Sequence, residues 1–475
     1  MVIKAIFDRA RREPDRAAMS ANGMNWTYAQ LAQGILDAEA RISSFALPPE
    51  ARVGIAVREL AHAWFFILAA EKMGRLATAL PGNSTAPQIG MTGIGLWIAD
   101  GNVEQSWTGP TLWLEEGTRI GFDERHDIAK PVVEPAHDFR FVLYSSGTTG
   151  LYKRIVSRGA ARDARIALAI EEARATGEQR HYVGDFGPWT AHGYTQPIRA
   201  LTVGSLLVFE QRMEPWNAIL AHRPTDFFMT PGTARRFFQT LPASFPRQDQ
   251  MKVTVSGGAL TPALLETIQS RLTRNIVQIY ASTESGLIAR TTISGPEDLL
   301  DHRIANTGEI QAVDDQHRPL PFGQEGTLRV RRPGMAESYF EDPVATAEHF
   351  RDGWFYPGDV GIVWSETRFR LTGRASEVIN ANGDKIAPAL LEDAIRAEWR
   401  CADVAVLSQA NTGAKDSLHI FVVDAKNLDE KIAKESLKSL TPSFLRIQVH
   451  HTDAIPRTTT GKIQYRLLRD ALRKN

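Results

Sequence analysis

The sequence predicts an α/β fold with parallel sheet in a large domain, followed by a smaller α+β module. Residues 51–57 (ARVGIAV) have the pattern of a short buried strand, and residues 61–73 have that of an apolar helix. A second apolar run at 76–80 completes a strand–helix–strand unit, whose two strands lie parallel. Apolar runs at 401–407 and 418–423 predict the strands of the smaller module.

Length and composition indicate an ordinary globular protein of two or three domains. The chain has 475 residues, of which 43% are hydrophobic and 23% are charged. Lys and Arg together number 55, as do Asp and Glu, so net charge does not point to nucleic acid or a membrane surface. A single cysteine, Cys401, excludes an internal disulfide framework. Because residues 1–16 form a charged amphipathic pattern and no apolar run reaches about 18 residues, we expect a cytoplasmic protein.

The segment 141–153 (FVLYSSGTTGLYK) predicts a polyphosphate-binding loop between a buried strand and a helix at 160–175. Six small residues follow the strand, and their glycines permit close backbone approach to a ligand. Free N–H groups and hydroxyls can surround an anion, and Lys153 supplies charge at the end. The spacing is not that of a Walker A loop. Taken alone, a loop of this composition is more often a flexible Ser/Gly turn between a strand and a helix.

The spacing S-S-G-T-T-G-x-x-K resembles the phosphate loop of the adenylate-forming superfamily, which contains acyl-CoA synthetases, adenylation domains and luciferases. Five further segments resemble motifs of that family and occur in the family's order. They are SGGA at 256–259, YASTE at 280–284, DGWFYPGD at 352–359, LTGR at 371–374 and IPRTTTGK at 455–462. Each alone could be a strand exit or a hairpin turn. Six in one order along nearly the whole chain favour an acyl-CoA synthetase.

The resemblance implies two domains. Residues 1–373 would form a large N-terminal AMP-binding domain of stacked sheets with helices and a small β-barrel. Residues 374–475 would form a small, mobile α+β lid that carries the catalytic lysine and includes a charged helix around 429–440. Ser376 stands at the hinge position, where the family usually has Asp or Lys.

The resemblance also assigns the nucleotide contacts, which follow strand ends. Asp359 would bind the ribose diol, Arg374 would contact ribose or phosphate, and Tyr280 could stack on adenine. The complete set is Ser145, Ser146, Gly147, Thr148, Thr149, Gly150, Lys153, Gly257, Gly258, Ala259, Tyr280, Ala281, Ser282, Asp359 and Arg374.

Three residues are assigned to catalysis by the same resemblance. The Lys462 ammonium would bridge the attacking carboxylate and the α-phosphate, where negative charge develops. Thr283 would hydrogen-bond the α-phosphate, and Glu284 would hold Mg²⁺, which prefers oxygen ligands. A lone Glu after a strand is more commonly a solvated or capping residue, so the assignment of Glu284 depends on the other motifs of the family.

The acyl pocket is the least specified part of the site. Counting back from Gly204 without gaps puts Trp189 at the position of an aromatic residue that gates the pocket in relatives. His192 nearby is either a general base or, more commonly for such a residue, a packed or solvent-facing histidine, and Gly258 would form part of the wall. Ala191 falls where amino-acid-activating relatives have Asp, so we expect an aryl or medium-chain acid rather than an α-amino acid.

The implied reaction uses ATP and Mg²⁺ to activate a carboxylic acid as acyl-AMP, and a thiol then accepts the acyl group. CoA is the expected acceptor, with the phosphopantetheine of a separate carrier protein as the alternative. A non-catalytic relative that binds nucleotide or acyl ligand is a further alternative. Departures from the family pattern lie next to Lys153, at Tyr152 and Arg154, and at Ala281 and Pro357.

Overall fold

The computed structural model describes residues 2–80, 93–100, 109–122, 126–130, 132, 140–146, 152–174, 180–183, 186–305, 307–374, 379–381, 384–386, 388–411, 414–424, 431, 435, 437, 446–458 and 462–474. The α-helices in this part of the chain are α1 (Val2–Arg12), α2 (Tyr28–Ser43), α3 (Leu60–Lys72), α4 (Gly159–Arg174), α5 (Ala191–Val203), α6 (Pro215–His222), α7 (Pro231–Thr240), α8 (Pro262–Arg271), α9 (Pro343–His349), α10 (Pro388–Trp399) and α11 (Tyr465–Lys474).

The strands of the same described residues are β1 (Ala17–Ala21), β2 (Met24–Thr27), β3 (Arg52–Ala56), β4 (Leu76–Ala79), β5 (Ile94–Ala99), β6 (Thr111–Trp113), β7 (Arg140–Ser146), β8 (Tyr152–Arg158), β9 (Arg180–Tyr182), β10 (Leu206–Val208), β11 (Asp226–Met229), β12 (Lys252–Val255), β13 (Ile276–Ser282), β14 (Gly286–Ile293), β15 (Asp301–Arg303), β16 (Glu309–Val313), β17 (Glu325–Arg331), β18 (Phe350–Arg351), β19 (Trp354–Phe355), β20 (Asp359–Ser365), β21 (Arg368–Arg374), β22 (Ile379–Ala381), β23 (Asp384–Ile386), β24 (Asp403–Asn411), β25 (Ala414–Val423) and β26 (Arg446–His451).

The first sheet has the order β14-β13-β12-β11-β9-β10-β1-β2. Its inner pairs are parallel, and its two outer pairs, β13–β14 and β1–β2, are antiparallel. Helices α6 to α8 share an apolar core with one face of this sheet. Because parallel neighbours end at one edge, the segments after β11, β12 and β13 lie together there.

The second sheet, β6-β5-β3-β4-β7-β8, contains the predicted strand–helix–strand unit. That prediction is confirmed, because β3 and β4 pair in parallel with Val53 opposite Ala77. The intervening α3 is buried from Leu60 to Glu71, as expected of a helix that is apolar all round. One core joins α1, α2, α3 and α5 to side chains of both sheets. The predicted α/β fold is therefore confirmed.

The segment after the phosphate loop differs from the prediction. The helix expected at 160–175 is present as α4, but β8 precedes it and pairs antiparallel with β7. The loop thus connects two strands of a hairpin rather than a strand and a helix. The strand follows from alternating burial, since Ile155 and Ser157 are buried while Arg154 and Val156 are partly exposed.

The third sheet has the order β15-β21-β20-β17-β19-β18, with β16 on β17, and all its pairs are antiparallel. From Ile379 onward, the described strands pair with one another, in the hairpin β22–β23 and the sheet β24-β25-β26. The strands predicted at 401–407 and 418–423 are found as parts of β24 and β25. The helix predicted at 429–440 falls mostly outside the described residues. Among the described helices, none has the length and hydropathy needed to span a bilayer.

Candidate active site

The Ser256–Ala259 turn lies at the carboxyl end of β12 and exposes backbone toward an open face. Gly257 has φ +81°, in the left-handed region that favours glycine. A Cβ atom at Gly257 would lie 3.4 Å from Thr230 and 3.5 Å from Cε of Lys462. The side chain of Lys462 therefore reaches this turn from the C-terminal module.

Lys462 lies on a loop that the preceding residues hold in place. The Lys462 backbone N–H donates to Oγ1 of Thr458 over 3.2 Å, and the Thr458 N–H donates to the Lys462 carbonyl over 2.8 Å. A second contact between the module and the first sheet's helices is the ion pair between Arg235 on α7 and Asp393 on α10, at 2.8 Å. Thr261 also donates to the Asp393 carboxylate. These contacts dock the module beside the turn.

Asp359 and Arg374 face each other across β20 and β21, and both belong to the predicted nucleotide site. The buried Asp359 carboxylate accepts from the Tyr280 hydroxyl over 2.6 Å and from Nε of Arg374 over 2.9 Å. Burial raises the pKa of the Tyr280 phenol well above its usual range, so the hydroxyl stays protonated as a donor. The structure thus joins three predicted residues, which come from two different sheets, into one hydrogen-bonded group.

The Tyr280 ring packs edge-on against Phe369, with ring centroids 5.3 Å apart. The predicted stacking of Tyr280 on adenine stays a prediction.

Glu284 and Lys153 lie in a second cluster, around the aromatic ring of Tyr339. The buried Glu284 carboxylate accepts from the Tyr339 hydroxyl over 2.9 Å, and Nζ of Lys153 lies 5.0 Å from the centre of that ring. Nζ of Lys153 also lies 2.5 Å from Nε2 of His349, whose Nδ1 contacts the Tyr356 carbonyl at 3.0 Å. Burial lowers the pKa of Lys153. Sequence reasoning missed Tyr339 and His349, since neither lies in a recognisable motif.

Arg165 on α4 fixes the turn that carries Thr283 and Glu284. Its guanidinium donates to the carbonyls of Thr283 and Glu284 over 3.0 Å each, and to that of Gly334 over 3.2 Å. Burial lowers the pKa of Arg165 to about 10, which leaves the side chain charged at neutral pH. Sequence reasoning missed this residue as well, because it lies inside a helix with no motif.

The Glu284 carboxylate fits an Mg²⁺ ion that is shared with a substrate. Within the described residues, no group of three or more His, Cys, Asp or Glu side chains is arranged to hold a metal by itself. Mg²⁺ often takes one or two carboxylates and completes its shell with phosphate oxygens and water. A buried carboxylate that shares the Tyr339 ring with Lys153 has the right chemistry for that role.

Part of the predicted site lies outside the described residues, namely Gly147, Thr148, Thr149, Gly150 and the hinge residue Ser376. The two ends of the phosphate loop are described, with Ser145 opposite Lys153 and Ser146 opposite Tyr152 in the β7–β8 pair. Lys153 is therefore placed on the second strand of the hairpin, beside the start of the loop.

Two of the predicted acyl-pocket residues, Trp189 and His192, contact strands of the second and the first sheet respectively. The Trp189 carbonyl accepts from the Tyr144 N–H over 2.9 Å, which ties this segment to β7. The His192 ring stacks on Phe228 with centroids 3.5 Å apart. Burial lowers the pKa of His192 well below its usual value, which favours a packed neutral ring over a general base. A Cβ at Gly258 would meet Pro231 at 3.3 Å.

Residues 6–340 match the family model described as AMP-binding enzyme. The chain belongs to this family. It is 24% identical over 495 aligned positions to Triostin synthetase I of Streptomyces triostinicus, covering 98% of this chain and 93% of that protein. It is 27% identical to the long-chain-fatty-acid–CoA ligase of Haemophilus influenzae, covering 70% of this chain and 62% of that protein.

Solved structures show the same fold. The crystal structure of ATP-bound MatB from Rhodopseudomonas palustris superposes with a TM-score of 0.84 at 19% identity, covering 99% of this chain and 98% of that one. The AMP-binding family member described here is therefore an α/β protein of the adenylate-forming type, with acyl-CoA ligases among its relatives.

Proposed function

We propose that this AMP-binding family member activates a carboxylic acid with ATP and transfers the acyl group to the thiol of CoA. The observation that carries the proposal is that Lys462 reaches the Gly257 turn. Its Cε atom lies 3.5 Å from the position that a Cβ atom on Gly257 would take. A long cationic side chain from a separate module, at the edge where parallel strands end, is suited to a transition state that gains negative charge.

In the first half-reaction, a carboxylate oxygen attacks the α-phosphorus of ATP and the bond to pyrophosphate breaks. Lys462 would stabilise the charge on the α-phosphate, and Thr283 would donate a hydrogen bond to the same group. Lys153 would bind the departing phosphates from the hairpin strand β8. Asp359 and Arg374 would hold the ribose, with the Tyr280 hydroxyl fixing the Asp359 carboxylate.

Glu284 would hold Mg²⁺, with Tyr339 orienting the carboxylate through its hydroxyl. When bound, the ion supplies positive charge that neutralises the phosphate oxygens. Arg165 would keep the backbone of the Thr283–Glu284 turn in place.

In the second half-reaction, the thiol attacks the acyl carbon and AMP leaves. We propose that residues 374–475 act as a mobile lid on a domain of residues 1–373, with a pivot near Ser376. When the docking contacts at Asp393 break, its carboxylate keeps the ion pair with Arg396 at 2.7 Å, so the charge is not left without a partner. Withdrawal of Lys462 would open space for the thiol.

CoA is the proposed acceptor because a long-chain-fatty-acid–CoA ligase is among the relatives. A separate carrier protein, through its phosphopantetheine thiol, is the other outcome that the experiment must distinguish.

The test is pyrophosphate release from ATP and Mg²⁺ with a panel of aryl and straight-chain acids, with and without CoA. We expect acid-dependent release that rises when CoA is added, together with formation of an acyl-CoA thioester. Release that stalls near one equivalent and is indifferent to CoA would favour a carrier protein. Nucleotide binding without release for any acid would contradict the proposal.

A further inference from the structure

A small polar cavity of about 20 Å³ lies between α5 and the first sheet. It is lined by side chains that include His181, His192, Gln196, Arg199, Asp226 and Phe228. On the helix, His192, Gln196 and Arg199 are spaced four and three residues apart, so they share one face. On the sheet, His181 is opposite Asp226 in the β9–β11 pair. The cavity is thus a polar site between two largely apolar layers.

The cavity lies deeper than the Gly257 turn along the same strands. Thr254, which also lines it, precedes Gly257 by three residues, or about 10 Å of extended chain. The stacked rings of His192 and Phe228 form part of its wall. Since His192 is a predicted acyl-pocket residue, the cavity lies where the far end of a bound acid would arrive.

Nε2 of His181, a residue that is 3% exposed, and Oε1 of Gln196 are buried at this cavity and have no hydrogen-bond partner among the described residues. Buried polar atoms are ordinarily paired, and an unmet one is costly. The Asp226 carboxylate is paired with Lys252 at 2.5 Å, and its other oxygen lies 3.9 Å from Nδ1 of His181, so it is not the partner of Nε2.

The size and the pairing needs of the cavity select a particular ligand group. Oε1 of Gln196 accepts a hydrogen bond, and Nε2 of a neutral histidine donates or accepts according to its tautomer. A hydroxyl both donates and accepts, and it is about the size of a water molecule, for which a cavity of this volume has room. An ionised carboxylate has no hydrogen to donate to Oε1 of Gln196, and it is larger than a hydroxyl group.

We propose that this cavity binds a hydroxyl group at the end of the acid remote from its reacting carboxylate. The hydroxyl would donate to Gln196 and accept from His181, while the apolar part of the acid lies against Phe228. This inference rests on the proposed acid activation, because it names the class of acid that the same pocket takes. The substrate would then be a hydroxy acid, either straight-chain or aryl.

The test compares matched acids of equal length that end in a methyl, a hydroxyl or a carboxylate, and aryl acids with and without a para-hydroxyl group. We expect kcat/KM for the best hydroxy acid to exceed that of its plain counterpart by at least about 100-fold. In Gln196→Leu, that ratio should fall at least about tenfold. Gln278→Leu is the matched control, because Gln278 is also a buried glutamine but lies on β13, outside the cavity lining.

Equal use of plain and hydroxy acids would overturn the inference and indicate that the cavity holds only water. Preference for the dicarboxylic acid would overturn it as well. If no acid supports pyrophosphate release, the proposed function fails, and calorimetric binding of the same acid pairs still decides the inference. Tighter binding of the hydroxy acid that is lost in Gln196→Leu would support it, and equal binding would contradict it.

Discussion

At the scale of single residues, Gly257 has a backbone conformation that favours glycine and lies beside the proposed catalytic lysine, Lys462. Its φ of +81° disfavours any side chain, and a Cβ atom there would be in ordinary van der Waals contact with Thr230 and Lys462. The backbone of this turn is therefore free to form a wall against a ligand while leaving room for the lysine. Backbone strain, rather than lack of space, therefore opposes a side chain at this position.

We predict that Gly257→Ala loses about 1–2 kcal/mol of unfolding free energy through its left-handed backbone. It should also lose at least about tenfold in pyrophosphate release, because a backbone that relaxes out of the left-handed region moves the wall of the site relative to the reacting atoms. Gly23→Ala is the matched control, since Gly23 has φ +84° and open space around its Cβ position. The control should lose similar stability in urea unfolding but keep its activity. Equal activity losses in both variants would refute a specific role for Gly257.

At the scale of elements, α4 and the β13–β14 turn are joined through one side chain. Arg165 donates to two carbonyls in the turn and to Gly334, so a helix that follows the phosphate hairpin positions the proposed metal ligand Glu284. The helix also carries Arg162, which pairs with Glu71 at 2.6 Å and with the Tyr194 hydroxyl at 3.1 Å. The two arginines of α4 therefore bind different groups, so their substitutions can be compared within one helix.

We predict that Arg165→Lys lowers kcat and raises the Mg²⁺ concentration needed for half-maximal rate, because lysine cannot reach all three carbonyls. Each lost bond from a charged donor costs about 1.5–3 kcal/mol, so thermal stability should fall too. Arg162→Lys should lose comparable stability without the change in Mg²⁺ dependence. The same Mg²⁺ dependence in wild type and Arg165→Lys would contradict the positioning role.

The sequence predicted the elements better than it predicted the connections between them. The strands before Gly257 and Glu284 were recognisable because apolar runs followed by small or polar residues are local patterns. The strand β8 was missed because the short YKRIVSR segment was absorbed into the predicted loop. Arg165 and Tyr339 were missed because they meet Glu284 from 119 and 55 residues away in the chain, in contacts that no local pattern encodes.

At the scale of the whole molecule, buried neutral histidines make the fold sensitive to acid. Burial lowers the pKa of His181 to about 3 and that of His302 to about 4, from an ordinary value of 6.5. Because both folded-state pKa values lie below the unfolded one, the neutral rings stabilise the fold above about pH 6.5. That stability is lost as the pH falls toward the folded-state values.

We predict that lowering the pH from about 6.5 to about 5 costs roughly 2 kcal/mol for each of these histidines. In His302→Gln, the loss over this interval should be smaller by about that amount in urea unfolding. His451→Gln, at an exposed position, should show the wild-type dependence. Identical pH dependence in His302→Gln and wild type would show that His302 is not held neutral by burial.

The two-module arrangement is the other feature of the whole molecule. A C-terminal module that delivers Lys462 to the Gly257 turn suits the first half-reaction and leaves the second to a different placement of the module. Lys462 should therefore matter for adenylate formation and not for thioester formation from a preformed adenylate.

The most direct test is acid-dependent exchange of labelled pyrophosphate into ATP, which reports the first half-reaction alone. We predict exchange in the wild type that falls at least about 100-fold in Lys462→Ala, with thioester formation from synthetic acyl adenylate and CoA preserved. Lys4→Ala, which changes an exposed lysine, should exchange like the wild type. Exchange that is undiminished in Lys462→Ala, or absent from the wild type with every acid, would contradict the account.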